Sequence, residues 1–406
     1  MNRHYQNNWL HIAGLAFTTV ILCAACSDPG DDINHDIIEP LKSVIRQDLI
    51  EFDERIFPPQ VLDSIGMYRA VAFGEMHTIL EEREIVSTLA IQLTSIHDSI
   101  TICAECPQAY SWVYEKISMG AMDTIPVWAT YRKLNVILDS LSDQTGPSSN
   151  SIRLTCIDAN LSSTSFLSSL DGYAKYIFEN QLLIDFIASF PPSNSENYIQ
   201  DLHDFKTLLE ETPEQLDLTN DSETIETLDR MVRNEILSVP IRENWESDYD
   251  NSFMSREELI KGNADYYLRL NSQPLLFYFG AYHVQKGKFL GSQIEWLGDY
   301  LHHENDISRG NTISIVGIPL AGEIINSSNS STFHFNLAND SREDDLFRIA
   351  SGLQSSAFAW LPLSDPLFSE EDIRVQYIYE GAELNSPPHQ QYDAYIIFKM
   401  GTFTGW

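Results

Sequence analysis

Short unbroken apolar runs recur along this chain, and most of them stop at a glycine or an acidic residue. Residues 69–74 form the first, with Ala70 to Phe73 as its core and Gly74 as its end. Its length and bounds predict a buried strand. From Ile79 to Leu93 the apolar positions fall at helical spacing, which predicts an amphipathic helix. Ser99 to Ala104 reads as a second strand, ending at Glu105. Pro107 then suits the first turn of a helix through Ile117. A helix is expected over Val127–Leu141, followed by a Ser/Gly loop. Ile152 to Ile157 reads as a third strand, ending at Asp158. Further strands are expected at Pro274–Phe279, Thr312–Val316, Ala357–Leu361 and Ala394–Phe398, with a helix over Phe289–His302. Strands alternating with helices predict an α/β fold: a mostly parallel central sheet flanked by helices. Between about 165 and 270 strand signals vanish and helical spacing dominates, so a helical insertion or cap is expected there.

The N-terminal pattern is different. Leu10 to Ala25 is apolar and follows a weakly basic start, a length that suits a signal-peptide core better than a membrane span. It ends in Leu22-Cys-Ala-Ala-Cys26, which resembles a bacterial lipobox and implies cleavage and acylation at Cys26. The acidic tract after Cys26 resembles the export signal of surface lipoproteins. The expected location is therefore the bacterial cell envelope, lipid-anchored, at the outer membrane and in one version exposed on the surface. Residues 27–60 are polar and carry four prolines; they read as a tether with one short helix from Leu41 to Phe52. Residues 61–406 then form a single α/β domain with the insertion inside it.

Composition narrows the picture. Hydrophobic residues make up 43% of the chain and aromatics 11%, which is a globular balance. The net charge of −34 argues against nucleic acid and against docking to anionic lipid by charge. Beyond the leader three cysteines remain, Cys103, Cys106 and Cys156. They are odd in number and lie in apolar runs, so buried thiols are expected rather than a disulfide framework. His97, His203, His302 and His303 sit among polar residues and are expected at the surface.

The candidate chemistry lies where strands end. Glu75 and His77 follow the first strand, Glu105 the second, Asp158 the third and His283 the fourth. In a parallel sheet those ends line up on one edge. Unpaired carboxylates gathered together cost stability, so such a set points to a polar site. A lone Asp after a strand is equally a helix N-cap, and that alternative stands for Asp158. Arg83 is either a further electrostatic group or one half of a surface ion pair. No G-x-S-x-G elbow, Walker-type loop or G-x-G-x-x-G after the first strand is present.

Phe73-Gly-Glu-Met-His77 resembles the opening G-E-x-x-H-G motif of the erythromycin esterase family, one residue shorter, and the shorter form is closer to the ChaN-like branch of that superfamily. Ile102-Cys-Ala-Glu-Cys-Pro107, Leu154-Thr-Cys-Ile-Asp158, Arg256-Glu-Glu-Leu-Ile-Lys-Gly-Asn263, Gly280-Ala-Tyr-His283 and Tyr392-Asp-Ala-Tyr-Ile-Ile-Phe398 resemble later blocks in the same order. Gly280 stands where the esterases have a His. The resemblance covers roughly 65–400. It implies an ester hydrolase with His77 as general base, Glu75 and Glu105 orienting it or the water, and His283 assisting the oxyanion or the leaving group. Arg83, Asp158 and Tyr282 would face a small-molecule substrate, and no cofactor is expected. Two alternatives remain: a ChaN-like haem- or nutrient-binding lipoprotein, with Tyr282 and His283 as axial ligands, and a Tiki/TraB-like hydrolase holding a divalent metal on His77, His283 and Glu75.

Overall fold

A computed structural model describes residues 35–53, 55–77, 79–145, 151–177, 180–219, 221–287, 294–326, 331–336, 345–370 and 387–402. The leader and Cys26 lie outside these residues. Ten strands are present among them: β1 (Ile50–Phe52), β2 (Ala70–Glu75), β3 (Ile100–Pro107), β4 (Ile152–Asp158), β5 (Leu275–Gly280), β6 (Thr312–Pro319), β7 (Ala321–Asn326), β8 (Ser331–Asn336), β9 (Phe358–Pro362) and β10 (Ala394–Phe398). With the helices that flank them they make an α/β fold whose sheet is mostly parallel. No helix among the described residues is long and apolar enough to cross a membrane.

The chain divides into two compact units. One comprises residues 1–92 and 279–406, the other 93–278. In the first unit β2 and β10 lie parallel on either side of β6, and β9 and β1 extend β10 in antiparallel fashion. All six residues of β2 and all eight of β6 are buried, as expected of central parallel strands covered on both faces. The antiparallel hairpin β7–β8 stands apart as its own two-stranded sheet. In the second unit β3 lies between β5 and β4, parallel to both. Five α-helices follow β4 before β5 begins: Ser163–Ile177, Gln181–Ala188, Tyr198–Glu211, Ser222–Asn244 and Tyr249–Leu270. This is the helical stretch that the sequence pattern predicts over 165–270.

Several expectations need correction. The segment read as a tether holds a helix over His35–Asp48, and the residues placed at that helix's end, Ile50–Phe52, are instead a strand paired with β9. Pro107 closes β3 rather than opening a helix; a 3-10 turn, Gln108–Tyr110, intervenes before the helix Ser111–Ser118. The helix expected over Phe289–His302 is seen as Leu297–His303, and residues 288–293 lie outside the described set. Cys106 and Cys156 form a disulfide, where buried thiols were expected; Cys103 is buried and takes no part in it. His302 is not a surface residue. Its side chain is 11% exposed and its Nε2 sits 3.1 Å from the Ser314 hydroxyl and 3.4 Å from Asp393.

Candidate functional site: a carboxylate–histidine pair and a buried charge cluster

In the first unit, β2 ends at Glu75 and the chain turns through His77 before the helix Leu80–Leu93. Just before that turn, Gly74 of β2 lets the neighbouring 3-10 segment Ala281–Val284 come close. A Cβ on Gly74 would lie 2.6 Å from Val284 Cγ2 and 2.9 Å from Ala281 Cα. Glu75 has a fully buried side chain, and its Oε1 lies 2.9 Å from His77 Nδ1. The His77 side chain is 31% exposed. The pair therefore has one end sealed in the protein and the other facing outward.

Behind the pair lies a second carboxyl. Glu82, on the helix, is wholly buried. Gly317 of β6 makes room for it, since a Cβ there would meet Glu82 Oε1 at 2.6 Å. Burial pushes the Glu82 carboxyl well above the usual carboxylate range, and the charge of Glu75 raises it further; the Met76 backbone amide and Arg83 oppose the shift. Both effects favour the protonated, neutral form of Glu82. Arg83 is buried at 1% exposure, so the surface ion pair is ruled out, and the guanidinium lowers Glu82.

His283 occupies the 3-10 turn after β5 and is buried. Its ring stands perpendicular to Trp296 at 5.5 Å and lies 5.6 Å from Phe279. Tyr282 is half-buried with its ring 5.8 Å from the same Trp296. Aromatic packing accordingly surrounds His283, a more apolar setting than the sequence pattern conveys.

The second unit holds the other two strand-end acids, and both are bound. Arg256, on the helix Tyr249–Leu270, donates to Asp158 Oδ1 through Nε at 2.8 Å and to Oδ2 through Nη2 at 2.6 Å. The same Nη2 donates to Glu105 Oε1 at 2.8 Å. Lys133 Nζ lies 3.7 Å from Glu105 Oε2 and 5.4 Å from the Tyr278 ring centre. Two cations balance two carboxylates, all four nearly buried. This satisfies the desolvation cost that isolated charges would carry. Asp158 is an anchor for Arg256 rather than a helix cap. On the Arg256 helix, Asn263 donates to the Ile157 carbonyl at 2.9 Å, which ties that helix to β4 a second time. Arg256 and Lys133 do not stand out in the sequence pattern as site residues. The one available signal was that Arg256 opens the block ending at Asn263.

Glu75, His77, His283, Tyr282 and Arg83 are thus in one unit, and Glu105 and Asp158 in the other. Within the units the structure joins Glu75 to His77 and Glu105 to Asp158 through Arg256.

An α/β chain with this order of strands and this interposed run of helices has known relatives by shape. A protein from Bacillus cereus overlays with a TM-score of 0.68 at 12% identity, covering 90% of this chain and 98% of its own. A succinoglycan biosynthesis protein overlays at 0.63 and 11% identity, covering 91% and 99%. An erythromycin esterase mutant, EreC in its open conformation, overlays at 0.62 and 14% identity, covering 88% and 98%. The fold is erythromycin-esterase-like. No family model matches the sequence and no curated protein matches it.

Proposed function

We propose that this chain is a hydrolase that activates water with His77 to cleave an ester or related acyl bond in a small molecule. The observation that carries the proposal is the 2.9 Å contact between buried Glu75 and the Nδ1 of partly exposed His77. An ionised carboxylate only accepts hydrogen bonds. Nδ1 therefore keeps its proton, and the lone pair falls on Nε2, the nitrogen away from Glu75. From there it takes a proton from water as the water attacks an acyl carbon. The imidazolium that forms is stabilised by the Glu75 carboxylate, whose charge is favoured by protonation of Glu82 behind it. The buried, aromatic-packed His283 suits a neutral hydrogen-bonding role better than a base role. Glu105, neutralised by Arg256 and Lys133, is unsuited to act as a base. The fold shared with an erythromycin esterase supports an acyl substrate without specifying which.

The test is a panel of esters and lactones offered to the protein and to His77→Ala, with and without a chelator. Loss of turnover in the variant, with its circular dichroism unchanged, is the expected result. Equal turnover removes His77 from the reaction, and loss of activity with chelator alone favours a metal held by Glu75 and His77. A double-mutant cycle between His77→Ala and Glu105→Gln shows whether these two groups serve one reaction. We further propose a lipid anchor at Cys26 in the cell envelope, on the leader pattern alone; labelled palmitate should enter the protein and fail to enter Cys26→Ala.

A further inference from the structure

The disulfide sits where the ladder between β3 and β4 is irregular. Up to Ala104, which lies opposite Cys156, the two strands run in step; the next pair is Pro107 with Asp158. Three steps on β3 thus match two on β4, so β3 carries one extra residue, a bulge formed by Glu105 and Cys106. Without it, Cys106 would stand opposite Asp158, two residues beyond Cys156. Two residues along a strand and one strand across put the Cα atoms about 8 Å apart. A disulfide does not span more than about 7 Å between Cα atoms. The observed separation is 5.0 Å. The bond therefore requires the bulge. Glu105, in the bulge, is next to the bonded Cys106, and Asp158 is two residues past the bonded Cys156; both carboxylates grip Arg256.

We propose that the Cys106–Cys156 disulfide is a positioning clamp, closed by oxidation, that locks the β3 bulge and so holds Glu105 on Arg256. Closing it removes two electrons and two protons from the thiols. A disulfide-bearing oxidant takes them up and leaves as a dithiol while the new S–S bond forms. Both cysteines are fully buried in the finished fold. Oxidation consequently precedes the final packing of β3 on β4, and a reductant in solution does not reopen the bond in the native protein. This is a device set once, in an oxidising compartment, rather than a switch that cycles. The clamp is independent of the hydrolase reading.

The clamp is tested with full-length protein and the double variant Cys106→Ala/Cys156→Ala. Peptide mapping of thiol-blocked, unreduced protein should show residues 106 and 156 cross-linked; their recovery as separate blocked peptides overturns the proposal. In hydrogen exchange, amides over 104–110 and 156–160 should exchange faster in the variant while those of 70–75 and 312–319 stay as they were. Unchanged exchange in both windows overturns the clamp. Loss of structure throughout the chain also overturns it, because the bond would then serve global stability. In denaturant melts, Glu105→Gln should cost less stability in the double variant than in the wild-type protein. Equal costs in the two backgrounds would show that Glu105 was never displaced.

Discussion

Glu82 is the residue with the clearest consequence for stability. Burial first, and the Glu75 charge second, raise its carboxyl well above its ordinary 4.5. The folded chain therefore holds a proton that the unfolded chain releases above that pH. The stability this provides is complete below 4.5 and is lost as pH rises toward the folded value, at about 1.4 kcal/mol per pH unit. Glu82→Gln keeps the shape and removes the titration. Urea denaturation at a series of pH values should show the wild type losing stability relative to Glu82→Gln as pH rises from 4.5; parallel curves would mean Glu82 is charged in the fold. Arg256 makes the opposite case, a cation that two buried acids need. Arg256→Gln should cost about 3–5 kcal/mol, because it strands Asp158 and Glu105. A loss under 1 kcal/mol in denaturant melts would contradict that. Neither effect was legible in the sequence. Arg256 reads there as one charge on a helix, and only folding brings it to an aspartate 98 positions away.

Among elements, the long central strands were the readable ones. The apolar run Ala394–Phe398 coincides with β10, and β2, β3, β4 and β5 fall within a few residues of their apolar runs, since unbroken apolar runs have few other uses. β1 escaped because three residues are too few to show a period, and its partner in β9 lies some three hundred positions away: Ile50 pairs with Trp360. The β7–β8 pair escapes because the sequence joining the two strands is a Ser/Asn run without apolar alternation. The disulfide escaped because one inserted residue in a ladder leaves no compositional trace. The close approach at Gly74, in contrast, is marked by the glycine itself. Gly74→Ala should lower stability by about 1–3 kcal/mol, the cost of forcing a methyl into packed backbone. Thermal melts check this; an unchanged Tm would mean the segment Ala281–Val284 gives way freely.

For the whole molecule, the strongly acidic charge of −34 sets a background of self-repulsion that relaxes as pH falls. His302 works against that trend. Burial, offset in part by Asp393, pushes its imidazole from 6.5 down to about 4. A histidine lowered in this way stabilises the fold above 6.5, and that contribution is lost as pH falls from 6.5 toward 4. His302→Gln should therefore flatten the acid limb of the stability curve by about 3 kcal/mol over that window. An acid limb equally steep in the variant would place the titration elsewhere. The central claim for the molecule is narrower: buried Glu75 fixes His77 in the tautomer that leaves Nε2 as a base. The most direct measurement is long-range 15N–1H NMR of the His77 ring at neutral pH, assigned with His77→Gln. The account predicts a proton on Nδ1 and a bare Nε2, with the preference lost in Glu75→Gln. A proton on Nε2 in the wild-type protein would contradict it.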